Sequence, residues 1–140
     1  MDRLKVSSIL LVIAAVITII FGLVYLTTPR LLSYHEDFIG MTHDEISEIN
    51  PKLTDMMLTF LRAIGTTFVV IGMMWTAVSL KSFRRGEKWA WSAMLITGLA
   101  TLIPVIAISF YVGAPVVYAV IAVLIIFMIA IALPAKEFLS

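Results

Sequence analysis

Arg62 is the one charge inside the four long apolar stretches of the 140-residue chain, and it lies among groups that could engage an anion or a carbonyl oxygen. Asp55, Thr59, Arg62 and Thr66 recur at helical intervals and share one broad face with Leu58 and Gly65. A guanidinium on that face offers a planar, two-pronged donor. Tyr25 lies near the end of the first apolar stretch, and Tyr111 and Tyr118 flank the turn between the third and fourth. Their hydroxyls fall at a similar depth, which also suits an aromatic belt. Thr101 lies beside Pro104, whose ring removes a backbone hydrogen bond and is expected to bend the third helix, opening a groove at Thr101 and the Ala100 carbonyl. The candidate ligand site is therefore Arg62, Asp55, Thr59, Thr66, Tyr25, Thr101, Tyr111 and Tyr118. A charge at a helix centre in lipid costs about 2.5–3.5 kcal/mol. Arg62 is thus expected to turn inward or reach the headgroups, with Asp55 or a loop carboxylate as its nearest anion. In either case it could lock helices together instead of holding a ligand.

His35-Glu36-Asp37 and His43-Asp44-Glu45 form two nitrogen-and-carboxylate groups eight residues apart, a spacing from which a divalent ion could draw one His and one acid each. Loop histidines beside acids are usually ordinary surface residues, so no metal is assigned. Catalytic motifs are missing: the sequence has no His-Glu-x-x-His, no nucleophile elbow and no phosphate-binding glycine loop. With no cysteine, thiol redox and thiolate ligation are excluded. Arg62 cannot cycle a proton at ordinary pH, and no acid or histidine lies mid-stretch, which weighs against proton-coupled transport. No cofactor is expected, and a non-enzymatic protein is the better reading.

These residues must be positioned by apolar helices. The stretches run about Val6–Leu26, Met57–Leu80, Trp89–Val112 and Pro115–Leu133, each close to the roughly twenty residues that cross a bilayer. Hydrophobic residues make up 61% of the chain and charged residues 14%, too little polar surface for a soluble domain of this size. The predicted fold is all-α, an integral membrane four-helix up-and-down bundle forming one transmembrane domain. Arg3 and Lys5 precede an apolar run without a cleavage pattern, so the first helix is expected to be retained.

Lys and Arg set the expected orientation. Arg3, Lys5, Lys81, Arg84, Arg85, Lys88 and Lys136 fall on one side, against Arg30 and Lys52 on the other. Both termini are therefore predicted to be cytoplasmic in a bacterial or archaeal cell membrane, with an acidic loop of about 29–53 outside. Beside two spans, the cluster Lys81–Lys88 suits anionic headgroups at about 1 kcal/mol per charge, and a nucleic-acid partner is not expected. Trp89, Trp91 and Phe83 are expected at the interface.

Within the loop, Thr42 and Glu45 have capping-box spacing and predict a short helix through about Glu48, with Ile46 and Ile49 resting on apolar surface. Such a helix could be a lid or a simple connector. Asn50-Pro51 marks the next helix start. Ala14, Thr18 and Gly22, then Ala93, Thr97 and Thr101, repeat at four-residue spacing, and Gly65 and Gly72 lie seven apart. These small faces predict close helix contact, with a cavity wall or an oligomer seam as alternatives.

Four features together resemble the small four-helix membrane proteins of the broad DoxX-like group. They are Leu26-Thr27-Thr28-Pro29 closing the first span, Leu61-Arg62-Ala63-Ile64-Gly65 in the second, the basic turn Phe83–Trp91, and a last span after a very short turn. The resemblance implies a membrane partner of redox or quinone-linked systems and transfers no catalytic residue. Abundant small faces and few reactive groups make a structural or assembly component, pairing with itself or a membrane protein, the leading expectation. The alternative is binding or transport of a lipid-like or quinone-like amphiphile in a bundle cavity near Arg62.

Overall fold

The computed structural model describes residues 2–139, which among themselves form helices and no strand. Helix α1 spans Arg3–Thr27, α2 Ser33–Ile39, α3 His43–Ile49, α4 Pro51–Val78, α5 Lys88–Val112, α6 Val117–Ala132 and α7 Ala135–Leu139. The chain continues from α4 into a π-helical turn, Ser79–Phe83. Helices α1, α4 (continued through the π-turn) and α5 are long and apolar enough to cross a membrane. Helix α6 is shorter than the 115–133 stretch expected for a fourth span: its 16 residues rise about 24 Å, less than the ~30 Å hydrocarbon core. Pro115 and Pro134 flank it, and proline tends to limit a helix at both ends.

Start signals act as their chemistry dictates. Asp2 caps α1 through Leu4 N–H, and Asn50 Oδ1 accepts from Leu53 N–H ahead of Pro51. Thr42 and Glu45 form the reciprocal capping box of α3, and the backbone and hydroxyl hydrogen bonds from Thr42 hold Glu45 below the usual carboxylate range. Of the two isoleucines expected on apolar surface, Ile46 is buried while Ile49 is 73% exposed, since α3 packs on α4 along one face only.

Packing runs α4 to α1 to α6 to α5, so α4 and α5 barely touch. Helices α1 and α4 meet through small residues. A Cβ on Gly65 would stand 2.6 Å from the Gly22 carbonyl oxygen, and one on Gly72 would stand 2.7 Å from the Ala15 carbonyl oxygen. The small faces of α1 and α4 therefore serve contact within the chain. Helices α5 and α6 form the expected antiparallel hairpin, turned at Gly113 with φ +70°.

Trp75 Nε1 donates to Thr97 Oγ1 at 3.1 Å and is the described side-chain hydrogen bond joining α4 to α5. Toward the basic end, Ser8 Oγ donates to the Ser79 carbonyl at 2.7 Å, and Trp91 Nε1 donates to the Ile131 carbonyl at 3.0 Å. Phe83 belongs to the core and not to the surface: it is fully buried, with its ring 5.1 Å from that of Phe138. It closes the π-helical turn, whose i→i+5 hydrogen bonding departs from the α-helical spacing on which an interfacial placement rests. Trp89 remains exposed, donating to Glu87 at 2.7 Å.

Candidate functional site

Because α4 and α5 splay apart beyond Trp75, they leave a cavity of about 250 Å³ in the half of the molecule nearest α2. Its wall is apolar and comes from the second halves of α1 and α5, the middle of α4 and the first half of α6. Phe21, Phe68, Leu102, Val105 and Val120 are among its apolar lining, with Thr18, Thr101 and Ser109 as small polar groups. Thr18 donates to its own Ala14 carbonyl at 2.9 Å, so it presents little unsatisfied polarity. Ile64 of α4 and Ile108 of α5 both line the cavity while being 46% and 61% exposed. The cavity is thus open sideways, between α4 and α5.

Helix α2 lies over the end of the cavity and is anchored on both sides. Its Tyr34 hydroxyl is hydrogen bonded to that of Tyr25 on α1 at 2.5 Å. Its Phe38 ring lies 5.3 Å from Tyr111 on α5. Between these anchors, His35 reaches the cavity wall, its ring 4.3 Å from Tyr34 and 6.2 Å from Tyr25. His35 Nδ1 is buried without a hydrogen-bond partner. Burial alone pushes the imidazole below its ordinary pKa, so it is neutral at pH 7. Burial, reinforced by the bond to Tyr25, pushes the Tyr34 phenol above its usual range and keeps it protonated. The polar end of the cavity is therefore a set of neutral donors and acceptors.

Of the eight residues expected to form a site, Tyr25 and Thr101 line this cavity. The helix 4 face divides: Leu58 and Gly65 turn inward, whereas Asp55, Thr59, Arg62 and Thr66 are exposed. Arg62 neither turns inward nor pairs with Asp55, and among the described residues its side chain has no ion pair or hydrogen bond. Thr59 and Thr66 donate to the carbonyls of Asp55 and Arg62, four residues back on their own helix. The physical reason is the glycine contact with α1. It fixes the rotation of α4 so that Leu61 and Gly65 face in, and Arg62, one step of about 100° further round, faces out. Tyr111 and Tyr118 are also outside the cavity, 78% and 74% exposed. Pro104 is exposed on the outer side of α5, while Thr101 and Val105 face the cavity.

The two His-acid groups build the loop. Glu36 accepts from His43 N–H at 2.8 Å, His43 Nδ1 accepts from Leu31 N–H at 3.4 Å, and Asp44 pairs with Arg30 at 2.7 Å. Sequence reasoning treated His35 only with its acidic neighbours. The available signal was Tyr34-His35, an aromatic-imidazole pair a few residues beyond the first span. Comparison with protein-family models, with curated proteins and with solved structures finds no match to this chain.

Proposed function

We propose that this is a membrane-embedded binding protein that holds a lipid-like or quinone-like amphiphile in the cavity between α1, α4, α5 and α6. The observation that carries this reading is the lateral gap between Ile64 and Ile108: an apolar cavity open toward the side of a membrane helix pair exchanges with lipid and not with water. Aromatic and aliphatic walls with a few polar groups at one end suit a ligand with an apolar body and a small polar head. Of the small-residue faces that suggested self-assembly, those of α1 and α4 are occupied in the α1–α4 contact, which weakens the case for an assembly role. In this reading the basic end, with Lys81, Arg84 and Arg85, lies at the cytoplasmic surface against anionic headgroups. The α2–α3 segment lies outside, and the ligand is taken up from the outer leaflet.

Native mass spectrometry of the protein released from mild detergent tests the proposal. The expected result is a chain carrying one co-purified amphiphile of mass unlike the bulk phospholipid, lost when Val105→Trp fills the cavity. A bare chain, or one whose adducts are indifferent to Val105→Trp, would overturn it.

A further inference from the structure

We infer that the cavity selects an amphiphile with an uncharged, oxygen-bearing head, seated beneath α2 against His35 and the Tyr25–Tyr34 pair, with its tail leaving between α4 and α5. This rests on the proposed binding role and adds the chemistry of the head. None of the residues around the cavity carries a formal charge at neutral pH, and Arg62, the nearest candidate cation by sequence, is exposed on another face of α4. An anionic head would lose its hydration there without a countercharge, which costs far more than burying a neutral oxygen that finds a donor. Donors are available. In the Tyr25–Tyr34 pair one O–H is donated to the other oxygen, which leaves the second hydroxyl hydrogen free. A neutral imidazole contributes one N–H and one acceptor nitrogen, and neither ring nitrogen of His35 has a described hydrogen bond.

Size sets the rest of the assignment. At about 250 Å³ the cavity falls just below the ~300–1,000 Å³ typical of ligand pockets, enough for a head group and the start of a tail. A longer tail must leave, and the gap flanked by Ile64 and Ile108 is the apolar way out. The Trp75–Thr97 hydrogen bond closes that gap toward the basic end.

The experiment is isothermal titration of the full chain in phosphatidylcholine nanodiscs at pH 8, with decylubiquinone as the neutral probe, dodecanoate as the anionic probe, and empty nanodiscs subtracted. We expect saturable binding of one decylubiquinone per chain and at least tenfold weaker dodecanoate. His35→Leu should weaken decylubiquinone at least tenfold and His35→Gln less, because the amide restores a donor and an acceptor. Arg62→Leu should leave both probes unchanged. Circular dichroism and size exclusion identify any variant that fails to fold, and the comparison of the two probes on the unaltered chain stands without the variants. Equal affinity for both probes, or preferred dodecanoate lost in Arg62→Leu, would overturn the head-group assignment and leave the cavity reading intact. Failure of both probes to bind would sink the two together.

Discussion

Gly22 and Gly65 bring α1 and α4 into backbone contact: a Cβ on Gly22 would lie 2.7 Å from the Gly65 carbonyl oxygen, and one on Gly65 would lie 2.6 Å from that of Gly22. Around Gly65 the three nearest atoms are all backbone, so a Cβ there cannot be accommodated by a rotamer change. Gly65→Ala is expected to destabilise the fold by about 1–3 kcal/mol, the usual cost of overpacking, and Gly65→Val by more. Equilibrium unfolding in detergent checks this, and wild-type stability for Gly65→Val would contradict the close contact.

The same contact decides which face of α4 is available to a ligand, and so why Arg62→Leu should not destabilise the fold. Its side chain has no described partner, so its removal orphans no buried acid. In the proposed membrane setting the outward guanidinium is itself a cost, so we expect no loss of unfolding free energy and a gain of up to about 3 kcal/mol. A loss of several kcal/mol would show a buried role for the guanidinium.

Trp75→Phe keeps the ring against Phe127, whose centroid is 5.0 Å away, and removes the hydrogen bond to Thr97. The expected cost is about 0.5–1.5 kcal/mol. Because this bond closes the gap between α4 and α5, a spin-label pair on the two helices should report a broader distance distribution. A distribution identical to wild type would contradict the clasp.

His35 gives the site a pH dependence of definite sign. Its pKa in the folded chain lies below the ordinary value of about 6.5, so the unfolded or undocked state takes the proton first. Docking of α2 is therefore undiminished above about pH 6.5 and weakens as pH falls below it toward the lowered value. The rings packed against His35 are Tyr25 and Tyr34, and no neighbouring charge contributes to its shift. Hydrogen exchange of α2 amides should accelerate, beyond the intrinsic rate, between pH 7 and pH 5, and His35→Gln should abolish the change. Protection rising as pH falls would contradict this assignment.

Apolar length, capping chemistry and short-turn signals made the long helices, α3 and the α5–α6 hairpin legible in the sequence. These depend on neighbours in the chain. Helix α2 was missed because its start is Leu32, which offers no side-chain cap, and its amphipathic face is only two turns long. The lining of the cavity was legible in part. Tyr25 and Thr101 were recognised from their depth and from the nearby proline, but the rotation of α4 is set by Gly22 meeting Gly65 across the α1 interface. Spacing within α4 shows which residues share a face and not which face is buried. His35 was assigned to its acidic neighbours because folding α2 back over the cavity is a tertiary event, and the Tyr34-His35 pair does not by itself say which surface it meets.

Whether an amphiphile occupies the cavity is decided by photocrosslinking in lipid nanodiscs, using a neutral amphiphile with a diazirine beside its head and peptide mapping of the adducts. Adducts are expected on cavity residues such as Tyr25, His35, Val105 and Ser109, suppressed by excess decylubiquinone and by Val105→Trp. Adducts confined to outward residues such as Phe60, Met73 and Met74, and indifferent to competitor, would contradict it.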